Sequence, residues 1–169
     1  MYKGLREEFR EEKENTRKIL LHARMTEIRY NERFSLIFTQ SVDGGWHEMA
    51  FSLMIDAPCW FGDRLEWESK VKEKARVGYA DCCLTAELVR LRYWNLIDVQ
   101  AVEFYDEYFQ IVFRGDNRLS IAYDGESENV DYPWVLEELS DKREDDKISI
   151  FCQENQLFQN HISEYLVRL

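Results

Sequence analysis

A chain of 169 residues with 45% hydrophobic and 14% aromatic content can bury a real core, which argues against disorder of the whole chain and against more than one sizeable domain. Its net charge of −11 makes phosphate backbones and anionic lipid poor partners, and no run approaches the roughly 20 apolar residues of a membrane helix. We expect one domain, residues 1–169, placed in the cytoplasm because MYKGLREEFREEKENTRK is charged where a signal peptide is apolar.

The first predicted element is a surface helix over about Gly4 to Leu21, with Leu5, Phe9, Thr16, Ile19 and Leu20 forming a narrow apolar stripe. Alternation then takes over. Phe34, Leu36 and Phe38 share one face of an extended segment, Met49, Phe51, Leu53 and Ile55 share a face of the next, and Asp43-Gly44-Gly45 marks the hairpin between them. With TEIRYN upstream, Thr26 to Asp56 reads as a three-stranded antiparallel meander.

In GDRLEWESKVKEKAR, Asp63 can cap a helix with Glu66 at the third helical position, and Leu65, Val71 and Ala75 are its sparse apolar positions. A second central helix starts near Asp81, with Leu84, Leu88 and Leu91 at helical spacing. A second β region follows, then the polar linker SDKREDDK, a short strand around Ile148 and Ile150, and a closing helix over QENQLFQNHISEYLVRL.

The two β regions are similar to each other. YNERFSLIF (Tyr30 to Phe38) aligns without a gap on YDEYFQIVF (Tyr105 to Phe113), and FSLMID (Phe51 to Asp56) on LSIAYD (Leu119 to Asp124). Both units end in a Pro and a Trp: Pro58 and Trp60, then Pro133 and Trp134. Self-similarity over 26–60 and 97–134 suggests duplication of one unit, with Asp56 and Asp124 as equivalents. The predicted class is α+β: a duplicated three-stranded antiparallel meander, in one sheet or two packed sheets, flanked by N-terminal, central and C-terminal helices.

Charge is concentrated in the second half. From Asp98 to Asp146 there are 15 acids against four bases, and the 18 acids and 18 bases elsewhere cancel, so this segment holds the entire net charge. Four of those acids, Asp124, Glu126, Glu128 and Asp131, fall between a strand end and Pro133, where the first unit runs almost directly from Asp56 to Pro58. Such a cluster suits a basic partner, a hard cation or plain solvation. Tyr105, Tyr108, Tyr123 and Tyr132 flank the acids, and aromatics interleaved with carboxylates suit a Lys/Arg-rich protein surface. The candidate partner-binding residues are Asp124, Glu126, Glu128, Asp131, Tyr132, Trp134, Asp106, Glu107 and Tyr108, although core closure over the sheet is the competing role for Trp60 and Trp134.

No catalytic constellation emerges. There is no G-x-S-x-G elbow, P-loop or G-x-G-x-x-G, and the carboxylate cluster lacks the spacing of an EF-hand. Cys59, Cys82, Cys83 and Cys152 form no CxxC pair and read as reduced thiols; His22, His47 and His161 are too scattered for a zinc site. No cofactor and no metal is expected.

A small, reduced, acidic α+β chain with the runs FQIVF, LSIAYD and YPW between Phe109 and Trp134, echoed by FSLIF, FSLMID and APCW, resembles the small cytoplasmic immunity proteins of bacterial polymorphic-toxin and contact-inhibition systems. The resemblance covers the two β regions. It implies an inhibitor that binds a basic toxin, such as a nuclease, and covers its active site, with no catalytic residue of its own. A regulatory interaction domain without a toxin partner, and a ligand-binding protein or enzyme of another type, remain as alternatives.

Overall fold

In a computed structural model, residues 9–30, 33–45, 47–78, 82–124, 131–142, 146–153 and 156–160 are described. Helix α1 spans Arg10–Leu20, and β1 Arg24–Tyr30, β2 Phe34–Val42 and β3 His47–Ile55 follow it as an antiparallel run. The predicted alternation pairs Phe34 with Ile55, Leu36 with Leu53 and Phe38 with Phe51, all directed into the core. Gly44 and Gly45 carry φ of 69° and 94° at the turn, which a Cβ would strain.

The chain then forms β4 (Cys59–Phe61), α2 (Arg64–Ala75) and α3 (Cys82–Tyr93), a second antiparallel run β5 (Val99–Phe104), β6 (Tyr108–Phe113) and β7 (Asn117–Ala122), and finally β8 (Trp134–Leu139), β9 (Ser149–Gln153) and β10 (Gln156–Gln159). Asp63 caps α2 by accepting the Glu66 backbone N–H at 3.0 Å. That helix is anchored by Trp67 rather than by the expected apolar positions, since Leu65 is 76% exposed and Ala75 is also outside. Leu88 and Leu91 of α3 are fully buried, as their spacing requires.

Two sheets result, one ordered β1-β2-β3-β8-β9-β10 and one ordered β4-β7-β6-β5, packed over a shared core. The protein is α+β. Helix α1 is wedged between the sheets, with Thr16, Ile19 and Leu20 buried, Arg17 Nε donating to Val102 O at 3.2 Å and Asn15 Nδ2 to Gln159 Oε1 at 2.8 Å.

Each run receives its fourth strand from the other half of the chain. After β3 the chain crosses to place β4 against β7, and after β7 it crosses back to place β8 against β3. Two hydrogen bonds lock these crossings reciprocally: Asp56 N–H to Pro133 O at 2.8 Å and Ala122 N–H to Pro58 O at 3.0 Å. The first strands also meet, through Met25 N–H to Ile97 O and Val99 N–H to Ala23 O. Both opening hairpins shift register at corresponding places, between Met25 and Glu27 and between Val99 and Ala101.

Three expectations change. Phe109 faces Ile121, not Tyr123, so strand pairing makes Ala122 rather than Asp124 the counterpart of Asp56. The chain has ten strands among the described residues, more than the two three-stranded meanders and the one short strand expected. The start of the predicted closing helix is strand β10, which pairs Leu157 with Cys152 and puts Leu157 inside and Phe158 outside. Two adjacent apolar residues satisfy a helical stripe and a two-faced strand equally, and the partner β9 decides between them. The remainder from His161 lies outside the described residues, as does the start of the predicted first helix, residues 4–8.

Trp134 sits where the crossing chain enters the first sheet, fully buried and 4.8 Å from the Phe109 ring. Trp134→Ala is expected to lower the unfolding free energy by about 3–5 kcal/mol. Trp134→Phe is expected to cost less than half of that, because the indole N–H has no hydrogen-bond partner among the described residues. Urea unfolding curves of the two variants provide the comparison.

Candidate protein-binding face

The turn Tyr105-Asp106-Glu107 joins β5 to β6 and is closed by Tyr105 N–H to Tyr108 O at 2.9 Å. Tyr123 N–H donates to Glu107 O at 3.0 Å, so the end of β7 is held beside this turn and Asp124 follows directly. Asp106, Glu107 and Asp124 are exposed.

Aromatic side chains pave the sheet face next to them. Tyr105 and Tyr108 stack at 4.6 Å, Tyr108 meets Trp60 edge-on at 5.1 Å, and the Arg64 guanidinium lies 4.8 Å over Trp60. Beneath runs a polar network in which Gln110 Nε2 donates to Ser120 Oγ at 2.8 Å and Arg118 Nη1 donates to Gln110 Oε1 at 2.9 Å and Glu103 Oε2 at 3.1 Å. The Tyr105 hydroxyl donates to the same Glu103 oxygen at 2.7 Å, which holds its pKa above the usual tyrosine value. A partner would therefore meet a pre-ordered surface.

Asp131 is exposed and Tyr132 is half-buried, edge-on to Phe151 at 5.0 Å. Glu126 and Glu128 lie outside the described residues. Trp134, placed on the contact face by the sequence, is a core residue whose side chain offers nothing to a partner, because strand alternation turns it inward beneath β3. Trp60, Glu103 and Arg118 join the site unannounced. Glu103 and Arg118 meet across the β5–β6 and β6–β7 hairpins, whereas Trp60 reaches them through β4 pairing with β7, a contact between residues some 60 positions apart that no local pattern reports.

The electrostatics of the segment follow from its few bases. Arg114 binds Asp98 at 2.6 Å, Arg118 binds Asp116 at 2.8 Å as well as Glu103, and Lys142 binds Glu138 at 2.8 Å. Each described base is thus already engaged, and Glu107, Asp124 and Asp131 have no ion-pair partner among the described residues. Asp116, Asp141 and Asp146 lie at the opposite strand ends, so the acids divide between the two ends of the sheets.

Among the described residues, no three of His, Cys, Asp and Glu stand close enough to hold a metal ion. Neither a protein-family model nor a curated protein nor a solved structure matches the chain.

Below the face, Tyr123 is 3% exposed, and its hydroxyl has no hydrogen-bond partner among the described residues. Burial raises its pKa, the Cys152 thiol and Asp106 add to the rise, and Arg17 opposes it. A phenol whose folded pKa is raised confers stability that is complete below its unfolded value near 10 and declines as pH climbs past that value. Tyr123→Phe is expected to leave stability at pH 7 unchanged or higher by up to about 1 kcal/mol. It is also expected to flatten the loss between pH 7 and 11, measured by urea unfolding at both; a variant destabilised by more than about 2 kcal/mol at pH 7 would mean the hydroxyl has a partner.

Proposed function

We propose that this protein is an acidic protein-binding inhibitor of the immunity type, which blocks a basic toxin by covering its active surface and performs no chemistry itself. The observation that carries the reading is the pair of uncompensated carboxylates Glu107 and Asp124 beside the ordered Tyr105, Tyr108 and Trp60 rings, with Asp131 exposed at the same end of the sheets. Carboxylates in this setting raise the association rate of a cationic partner, and the rings add contact area and cation–π attraction once it docks. No helix among the described residues is long and apolar enough to cross a membrane, and action in the cytoplasm is part of the proposal.

A second reading is a regulatory interaction domain with no toxin partner. It is favoured by Asp116, Asp141 and Asp146 at the far strand ends, which spread the acidity beyond one face.

We further propose that the two halves descend from one duplicated unit. The matched register shifts, the reciprocal bonds from Asp56 and Ala122 to the two prolines, and the sequence echo support this. Relatives whose halves are more alike than these are expected; a set whose halves share nothing at Phe34/Phe109, Phe38/Phe113 and Pro58/Pro133 removes the idea.

The variant Asp106→Asn, Glu107→Gln, Asp124→Asn, Asp131→Asn tests the function. Tagged wild-type protein is expected to recover a basic protein from a lysate of its own organism at low salt and to inhibit it when both are purified. The variant is expected to associate about tenfold or more slowly at low salt, with the difference shrinking as salt rises. A recovered partner that is bound but not inhibited supports the second reading, and recovery of the same proteins by both forms removes the acidic face from either.

A further inference from the structure

Away from the acidic end, β1 is the outermost strand of the six-stranded sheet. Its first residues are occupied, Arg24 bridging to Asp98 and Met25 N–H bonding to Ile97 O, but from Glu27 to Tyr30 no further strand lies on its outer edge among the described residues. Helix α3 runs beside this edge and leaves a groove of about 610 Å³ lined by Ile28, Tyr30, Thr85, Val89, Arg92 and Tyr93.

The lining is apolar and uncovered: Tyr30 is 66%, Val89 53% and Tyr93 80% exposed, and Trp94, 64% exposed, stands edge-on to Tyr93 at 5.2 Å. Aromatic, aliphatic and arginine side chains gathered at one open site are the composition of a protein-binding hot spot. Arg92 supplies the only charge in the lining; the nearby Glu27 carboxylate feels its charge but is bound directly by Arg29, at 2.8 Å, so the Arg92 guanidinium has no direct ion pair among the described residues. By contrast, the polar cleft around Lys70 has its charges matched internally, with Glu87 bound by both Lys70 and Arg90.

An open strand edge beside a helix offers a peptide two things together: backbone partners along the strand and seats for alternate side chains between strand and helix. We propose that this groove binds an extended, acidic segment of a partner protein, which adds a short strand to β1, seats an aliphatic or aromatic side chain between Tyr30 and Tyr93 and places a carboxylate on Arg92. The site lies on a different edge from the acidic face and stands independently of the inhibitor reading.

Randomised displayed peptides of about ten residues, selected on the full chain, test the proposal. The expected outcome is enrichment of apolar residues at alternate positions with Asp or Glu between them. A synthetic representative is expected to shift the emission of the protein's tryptophans and to bind about tenfold or more weakly to both Tyr93→Ser and Arg92→Glu, whose exposed positions leave the thermal melt unchanged. Methylation of alternate backbone amides in the peptide is expected to abolish binding in one register and spare it in the other. The proposal is overturned if nothing is enriched, if the enriched peptides are basic or indifferent to both substitutions, or if sedimentation shows the groove occupied by a second copy of the chain.

Discussion

Everything in this architecture depends on the exchange of strands between the two sheets. Strand β3 has no inner neighbour until β8 arrives, and β7 none until β4 does, so each sheet is completed by a segment from the other half. The two bonds at the crossings, from Asp56 to Pro133 and from Ala122 to Pro58, are well placed for this. A proline has no N–H to leave unpaired in the crossing, but its carbonyl still accepts. The fully buried ring of Trp134, set against Phe109, then joins the first sheet to the second.

The same crossing builds the candidate face. Because β4 lies against β7, Trp60 comes beside Tyr108, and because β7 ends next to the β5–β6 turn, Asp124 comes beside Glu107. Glu107 and Asp124 thus stand where backbone bonds hold the β5–β6 turn to the end of β7. Rigid presentation limits the ordering cost that a partner would otherwise meet on binding. The Tyr105 and Arg118 bonds to Glu103 extend this order from backbone to side chains.

The features readable in the chain were local. Alternation at Phe34, Leu36 and Phe38, the Asp-Gly-Gly turn, the Asp63 cap and the spacing of Leu88 and Leu91 each depend on neighbours within a few residues, and each has its expected form. What escaped depended on distant partners. Trp67 anchors α2 because Phe61 and Trp60 lie beneath it, and Leu157 is in a strand because β9 receives it. Site residues divided in the same way: the exposed acids of the β5–β6 turn and of the β7 end could be named from sequence, whereas Trp134 was misplaced because facing inward or outward is set by its register on β3. The two-residue slip between the two β regions, which parts Asp56 from Asp124, conserves strand alternation and so leaves no trace in the hydrophobic pattern.

Strand exchange also sets a timetable on the ribosome. Strand β3 is complete once Ile55 is made, but its neighbour is not finished until Leu139, roughly eighty residues later. At 5–20 residues per second that is an interval of roughly 4 to 16 seconds in which a nine-residue strand bearing Phe51, Leu53 and Ile55 has one bare edge. An unpaired apolar edge is a template for another nascent chain. The nascent first half is therefore the stage at which this molecule most needs a chaperone, and slowing or crowding translation there would be felt as lost yield before it altered the finished fold.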